Sequence, residues 1–159
     1  TDALFLIGSV LFLGFSFNLL IIARNYDLYR IIYLLLLSTM TDTFALITGK
    51  LVGKHKLVPK ISPNKTIEGL LGGVIMGTFI ASSFYHVFIN PTISLVMVIL
   101  ITTTLSIIGQ IGDLVFSMIK RYYNKKDFSN LIPGHGGILD RFDSIIFIAL
   151  AFILVADIL

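Results

Sequence analysis

Long apolar runs alternate with short polar breaks along this chain, and the lengths of the runs carry the first inference. About 20 helical residues cross the hydrocarbon of a bilayer, and Ala3 to Ala23 is an uncharged apolar run of that size. Arg24 to Asp27 makes a short polar turn. A second run extends from Ile31 to about Gly49, interrupted by Thr41-Asp42-Thr43. The segment from Lys50 to Lys65 carries five lysines and no acid. A third run starts at Gly69 or Leu70 and ends at Ile89, where Asn90-Pro91 turns the chain and the proline is placed to open the next helix. Thr92 to Ile119 is the longest run. At about 1.5 Å per residue it outreaches one membrane thickness, so its last turns, with Gln110, Asp113 and Ser117, should emerge from the hydrocarbon. Ile145 to Leu159 completes a fifth span if its helix begins near Ile138. The pattern predicts an all-α, polytopic integral-membrane helical bundle of about five transmembrane helices, with residues 1–159 forming a single membrane-embedded domain.

Composition agrees with that reading. Of 159 residues 56% are hydrophobic and 13% charged, against roughly 25% charged in soluble domains. The absence of cysteine excludes a disulfide framework and a thiolate metal site. The net charge is +3, but its placement says more. The Lys50–Lys65 segment and the Lys120–Arg141 stretch each hold five Lys or Arg, against two at Arg24–Arg30 and none at Asn90-Pro91. Two spans separate the basic segments, so they share a side, which the positive-inside rule makes cytoplasmic. The first run is too long for a signal peptide and lacks a basic leader. The expected partner is a lipid bilayer; nothing points to nucleic acid, and a homodimer is left open.

Candidate chemistry collects between Ser117 and Ser144, the longest interval without an apolar run. Asp140 and Asp143 stand three residues apart and share a face if helical, and Asp113, Ser117 and Lys120 fall at i, i+4 and i+7 of another. His135, Gly136 and Gly137 form a Gly-rich turn just before the acids. Acidic oxygens suit a hard cation, Lys and Arg neutralise phosphate, and glycines let backbone N–H groups approach it. The competing account is interfacial charge and helix capping. Asp42 should sit roughly 12 Å below the end of its helix, where an acid usually faces a partner or water. His135 reads as a phosphate donor first, with an acid or a loop residue as the alternatives; His55 and His86 read as structural. In the Lys50–Lys65 segment, Ser62-Pro63 forces a turn and Thr66 or Ser62 caps the next helix, next to Lys65, which makes a ready phosphate site. The plainer account is a basic loop that sets topology and meets anionic lipid. Gly72, Gly73 and Gly77 suggest close helix packing.

These residues also carry a resemblance. Ser117, Lys120-Arg121, Lys126-Asp127, Ser129, Ile132-Pro133, His135-Gly136-Gly137, Asp140-Arg141 and Asp143 fill every fixed position of the signature of the phosphatidate cytidylyltransferases, or CDP-diacylglycerol synthases. The run Ser62-Pro63, Lys65-Thr66, Glu68-Gly69 resembles a second block of that family. One departure occurs: Leu46 follows Asp42-Thr43-Phe44-Ala45 where tyrosine is expected. The resemblance implies an enzyme joining CTP and phosphatidate into CDP-diacylglycerol and pyrophosphate, in phospholipid biosynthesis, at the cytoplasmic face of a bacterial cell membrane. It implies Mg²⁺ on Asp113, Asp140 and Asp143, with K⁺ as a candidate second cation. Lys120, Arg121, His135 and Arg141 join those acids as catalytic candidates. Ser62, Lys65, Thr66, Glu68, Ser117, Gly136 and Gly137 become substrate-binding candidates. Members of the family are usually longer, so we expect this chain to be the C-terminal catalytic portion of such an enzyme. The rival reading, a cation-coupled transporter, would place its acids near the membrane midplane on broken helices.

Overall fold

The computed structural model describes residues 2–129, 137 and 139–156. Five helices follow the apolar runs: α1 (Asp2–Tyr26), α2 (Leu28–Val52), α3 (Ile67–Phe88), α4 (Leu95–Tyr122) and α5 (Leu139–Val155). Between α2 and α3 the basic segment folds into an antiparallel hairpin, β1 (Lys56–Val58) and β2 (Ser62–Thr66), pairing Lys56 with Thr66 and Val58 with Ser62. The expected basic loop is therefore a structured ribbon.

Of the five crossings expected, the described residues show three. Among the described residues three helices are long and apolar enough to span a membrane, namely α2, α3 and α4. The described apolar part of α1 runs from Val10 to Tyr26, and α5 has 17 residues. At about 1.5 Å per residue, 17 residues cover roughly 25 Å, short of a hydrocarbon core about 30 Å thick. The proline expectation is corrected too. Pro91 lies in the turn before α4, where the Asn90 side chain accepts from the Thr92 N–H and hydroxyl, and the helix starts at Leu95.

Glycines bring α2 and α3 into the most extensive helix pairing. A Cβ on Gly73 would lie 2.6 Å from the Thr41 carbonyl oxygen, and one on Gly77 2.2 Å from the Thr41 hydroxyl. Tyr33, Leu37, Tyr85, Leu105, Ile148 and Phe152 belong to the buried core that α4 and α5 close. Three polar contacts inside it join different helices. The Thr102 hydroxyl donates to the Val98 carbonyl, so the Tyr33 hydroxyl, 2.8 Å away, donates to Thr102. Thr41 and Ser106 hydroxyls bond at 2.9 Å, and the Gln110 amide donates to the Leu70 carbonyl. Each such bond contributes only about 0.6 kcal/mol within a membrane; their larger effect is to fix how the helices are rotated. Ile75 and Phe79 of α3 and Val96 and Leu100 of α4 stay exposed on the outer surface, as lipid-facing residues should.

Candidate active site

Thr66 ends the hairpin and caps α3, its hydroxyl accepting from the Gly69 N–H at 3.1 Å. That cap fixes Lys65 one residue earlier, and its ammonium donates to Asp113 on α4. Arg121 ties the hairpin to the same end of α4, donating from Nε to the Ile61 carbonyl at 3.0 Å and from a terminal nitrogen to the Lys125 carbonyl at 3.1 Å. The two basic segments thus meet at one end of the bundle.

Beneath the hairpin lies a cavity of about 620 Å³. Asp42, Asp113, Asp140 and Asp143 line it together with Lys50, Lys56 and Lys65. Lys50 follows Asp42 by about two helical turns, so basic groups surround the mouth and acids the floor. The Ser144 hydroxyl lies 3.1 Å from Asp42 Oδ2 and 3.3 Å from Asp143 Oδ1, and can donate to one at a time. The Ser144 N–H donates to the same Asp143 oxygen at 2.8 Å. Ser117 donates to Asp113 at 3.3 Å.

Asp140 is held differently from the other acids. Oδ1 accepts from the Lys120 ammonium at 2.7 Å, and Oδ2 from the Phe128 N–H at 3.0 Å and the Gly137 N–H at 2.9 Å. It occupies the first turn of α5, ahead of the apolar part of that helix. Burial disfavours its ionised form, but Lys120 and the two N–H donors outweigh burial and hold its pKa below the ordinary carboxylate value. A Cβ on Gly137 would stand 2.5 Å from the Ser129 hydroxyl and 3.0 Å from the Ser129 backbone nitrogen, so glycine lets the two segments approach closely.

The fold therefore brings together Asp113, Asp140, Asp143, Lys65 and Thr66 around the cavity, with Lys120 and Ser117 bonded to its acids. It sets other candidates apart. Glu68 accepts from the backbone and ring of His55, closing the hairpin. Arg121 is committed to backbone carbonyls, the Gly137 N–H goes to Asp140, and Ser62 and the exposed Arg141 do not line the cavity. His135 and Gly136 lie outside the described residues. Asp42, left open by the sequence, belongs on the cavity floor. Lys50 and Lys56, read there as topology charges, line its wall, as does Leu46, so the departure from tyrosine removes a hydroxyl from the site. Ser144 was missed; its only signal is adjacency to Asp143.

Oxygen donors alone suit a hard cation. Among the described residues, no three His, Cys, Asp or Glu side chains converge closely enough to hold one. Asp113 and Asp140 are instead neutralised by lysine ammoniums.

A profile described as the cytidylyltransferase family matches residues 2–159. The chain belongs to that family. A phosphatidate cytidylyltransferase of Staphylococcus saprophyticus is 46% identical over 147 residues, covering 92% of this chain and 56% of that protein. Proteins of the same description from Staphylococcus haemolyticus and Staphylococcus aureus are 46% and 43% identical over the same length. The chain thus spans 56% of the length of these curated relatives. This family member is an integral membrane protein with bacterial relatives, and the comparisons give no support to a transporter.

Proposed function

We propose that this chain is the catalytic portion of an enzyme that transfers the cytidylyl group of CTP to phosphatidate. The observation that carries the reading is the cavity itself, where carboxylates and lysines converge at one end of an apolar bundle. One substrate is water-soluble and the other is a lipid, so the reaction needs a polar site at a membrane surface. The name of the relatives, phosphatidate cytidylyltransferase, supports the same reading.

In the proposed step a phosphate oxygen of phosphatidate attacks the α-phosphorus of CTP. The new P–O bond forms as the bond from the α-phosphorus to the bridging oxygen breaks, releasing pyrophosphate. Lys50, Lys56 and Lys65 at the mouth would steady the nucleotide phosphates, and Lys120 the lipid phosphate. No covalent enzyme intermediate is needed, so the protein contributes positioning and charge. Asp113, Asp140 and Asp143 are the proposed holders of Mg²⁺, which would have to displace the Lys65 and Lys120 ammoniums from Asp113 and Asp140; Asp42 faces the same space, and K⁺ is the proposed second cation. Bound Mg²⁺ would neutralise charge on the triphosphate and the departing pyrophosphate. The positive-inside rule places this end of the bundle in the cytoplasm. His135, Gly136 and Arg141 are retained in the proposal as phosphate-contacting candidates.

The test supplies cytidine-labelled CTP and phosphatidate to the purified protein in detergent. Organic-extractable label with one pyrophosphate per CTP consumed is expected. Label that stays aqueous in a protein that binds both substrates would sink the proposed reaction.

A further inference from the structure

A second cavity of about 700 Å³ lies against the first, on the far side of the Lys120–Asp140 pair. Its walls are mainly apolar, from Phe12 of α1, Val115 and Phe116 of α4, Phe147 of α5, and Phe128 after α4. The rings form a continuous path. Phe147 stands 6.3 Å from Phe12 and 6.1 Å from Phe116, and Phe116 meets Phe128 edge-on at 5.8 Å. Phe147 lies against the α4 backbone at Gly112, where a Cβ would come within 2.6 Å of the ring. Lys120, Lys125 and Asp127 supply the charged part of the lining.

Two contacts join this apolar space to the polar one. The Lys120 ammonium, which bonds Asp140, sits 5.3 Å from the centre of the Phe128 ring. The Phe128 N–H holds the other oxygen of Asp140. One face of this small partition is lined by lysines and aspartates, and the other mainly by aromatic and aliphatic side chains. A molecule that needs both faces at once has a phosphate group and a long hydrocarbon tail.

We propose that the second cavity is the acyl-chain site of the lipid substrate, with the lipid phosphate delivered across the partition at Lys120. This deepens the reading above and rests on it for the identity of the lipid. The tail among the phenylalanines would fix where the attacking phosphate oxygen stands, so chain binding becomes part of positioning rather than mere membrane retention. Its volume falls within the roughly 300–1,000 Å³ typical of ligand sites.

The test uses the full-length protein in lipid nanodiscs and a phosphatidate bearing a photoactivatable diazirine in its acyl chain. Cross-links are expected on the peptides containing Phe12, Val115 and Phe147, competed by unlabelled phosphatidate and not by phosphatidylcholine. A kinetic arm uses Val115→Trp, which fills the cavity without touching the polar site. Displacing about two methylenes should raise KM for long-chain phosphatidate about tenfold, with KM for CTP and for a short-chain phosphatidate unchanged. Cross-links confined to other surfaces, or equal changes for both chain lengths, would overturn the assignment. Should Val115→Trp fail to fold, the cross-links on the unaltered protein decide. Competed cross-links without turnover would uphold the acyl site and refute the transfer reaction; turnover with cross-links elsewhere would do the reverse.

Discussion

Asp140 and Asp143 sit one helical turn apart, yet they do different work. Asp140 spends both oxygens on Lys120, Phe128 and Gly137, and so ties the segment after α4 to the start of α5. Asp143 bonds only to its neighbour Ser144 among the described residues, and lines the cavity together with Asp42 and Asp113. Asp143→Asn should therefore abolish turnover while leaving the thermal midpoint unchanged or slightly raised, since it removes a charge from a crowded acidic floor. Asp140→Asn should lose activity and stability together, because a charge-assisted hydrogen bond contributes roughly 1.5–3 kcal/mol. Thermal unfolding in detergent beside the label-transfer assay separates the two, and a stable, active Asp140→Asn protein would refute the anchoring role. Lys65 gives a second contrast. Lys65→Ala should cut catalytic efficiency about tenfold to a hundredfold. Lys60→Ala removes the same charge from a hairpin position that does not line the cavity, and should be nearly silent. Equal small effects in both variants would return the hairpin lysines to a purely topological role.

At the scale of elements, the apolar runs located all five helices to within a few residues, because hydrocarbon-length runs leave little room for other structure. The hairpin was not legible. Its strands are short and polar, and Pro63 lies inside β2, which argues against a strand from sequence and is tolerated here because a two-stranded ribbon is all edge. Glycine spacing was legible as close packing, but its consequence is clear only in three dimensions. Gly73 and Gly77 let Thr41 approach α3, and Thr41 precedes Asp42 of the cavity floor. Gly77→Leu should force α2 and α3 apart, cost about 1–3 kcal/mol, and lower turnover by displacing Asp42. Gly14→Ala on α1 meets nothing within 4 Å, and should be neutral or stabilising by up to about 1 kcal/mol. Paired thermal unfolding curves check both; equal shifts would mean that helix propensity rather than the α2–α3 approach sets the outcome.

On the scale of the whole molecule, the sequence placed both basic segments on one side because two spans separate them, and the structure joins them through Lys65 to Asp113 and Arg121 to Ile61. Charge and hydropathy could not reveal that the same lysines line a cavity, since a lysine that sets topology and one that faces a phosphate look alike in a linear pattern. Five crossings were expected from the runs, and among the described residues three helices have the length and apolar character to make one. The fold has a consequence that labelling can read. The helices α3 and α4 are both of spanning length, so the Asn90-Pro91 turn between them lies at the opposite end from the hairpin and from the segment after α4. The chain has no cysteine of its own, so single cysteines report cleanly. Lys60→Cys and Lys126→Cys, both at exposed positions, should react with a membrane-impermeant maleimide only in inverted vesicles. Thr92→Cys, in the exposed turn, should react only in right-side-out ones. Agreement of all three would put the polar cavity on the cytoplasmic surface, where a soluble nucleotide is available. Labelling of Lys60→Cys and Lys126→Cys from opposite faces would break the shared-side arrangement, and the same pattern in all three with the faces exchanged would refute the positive-inside assignment alone.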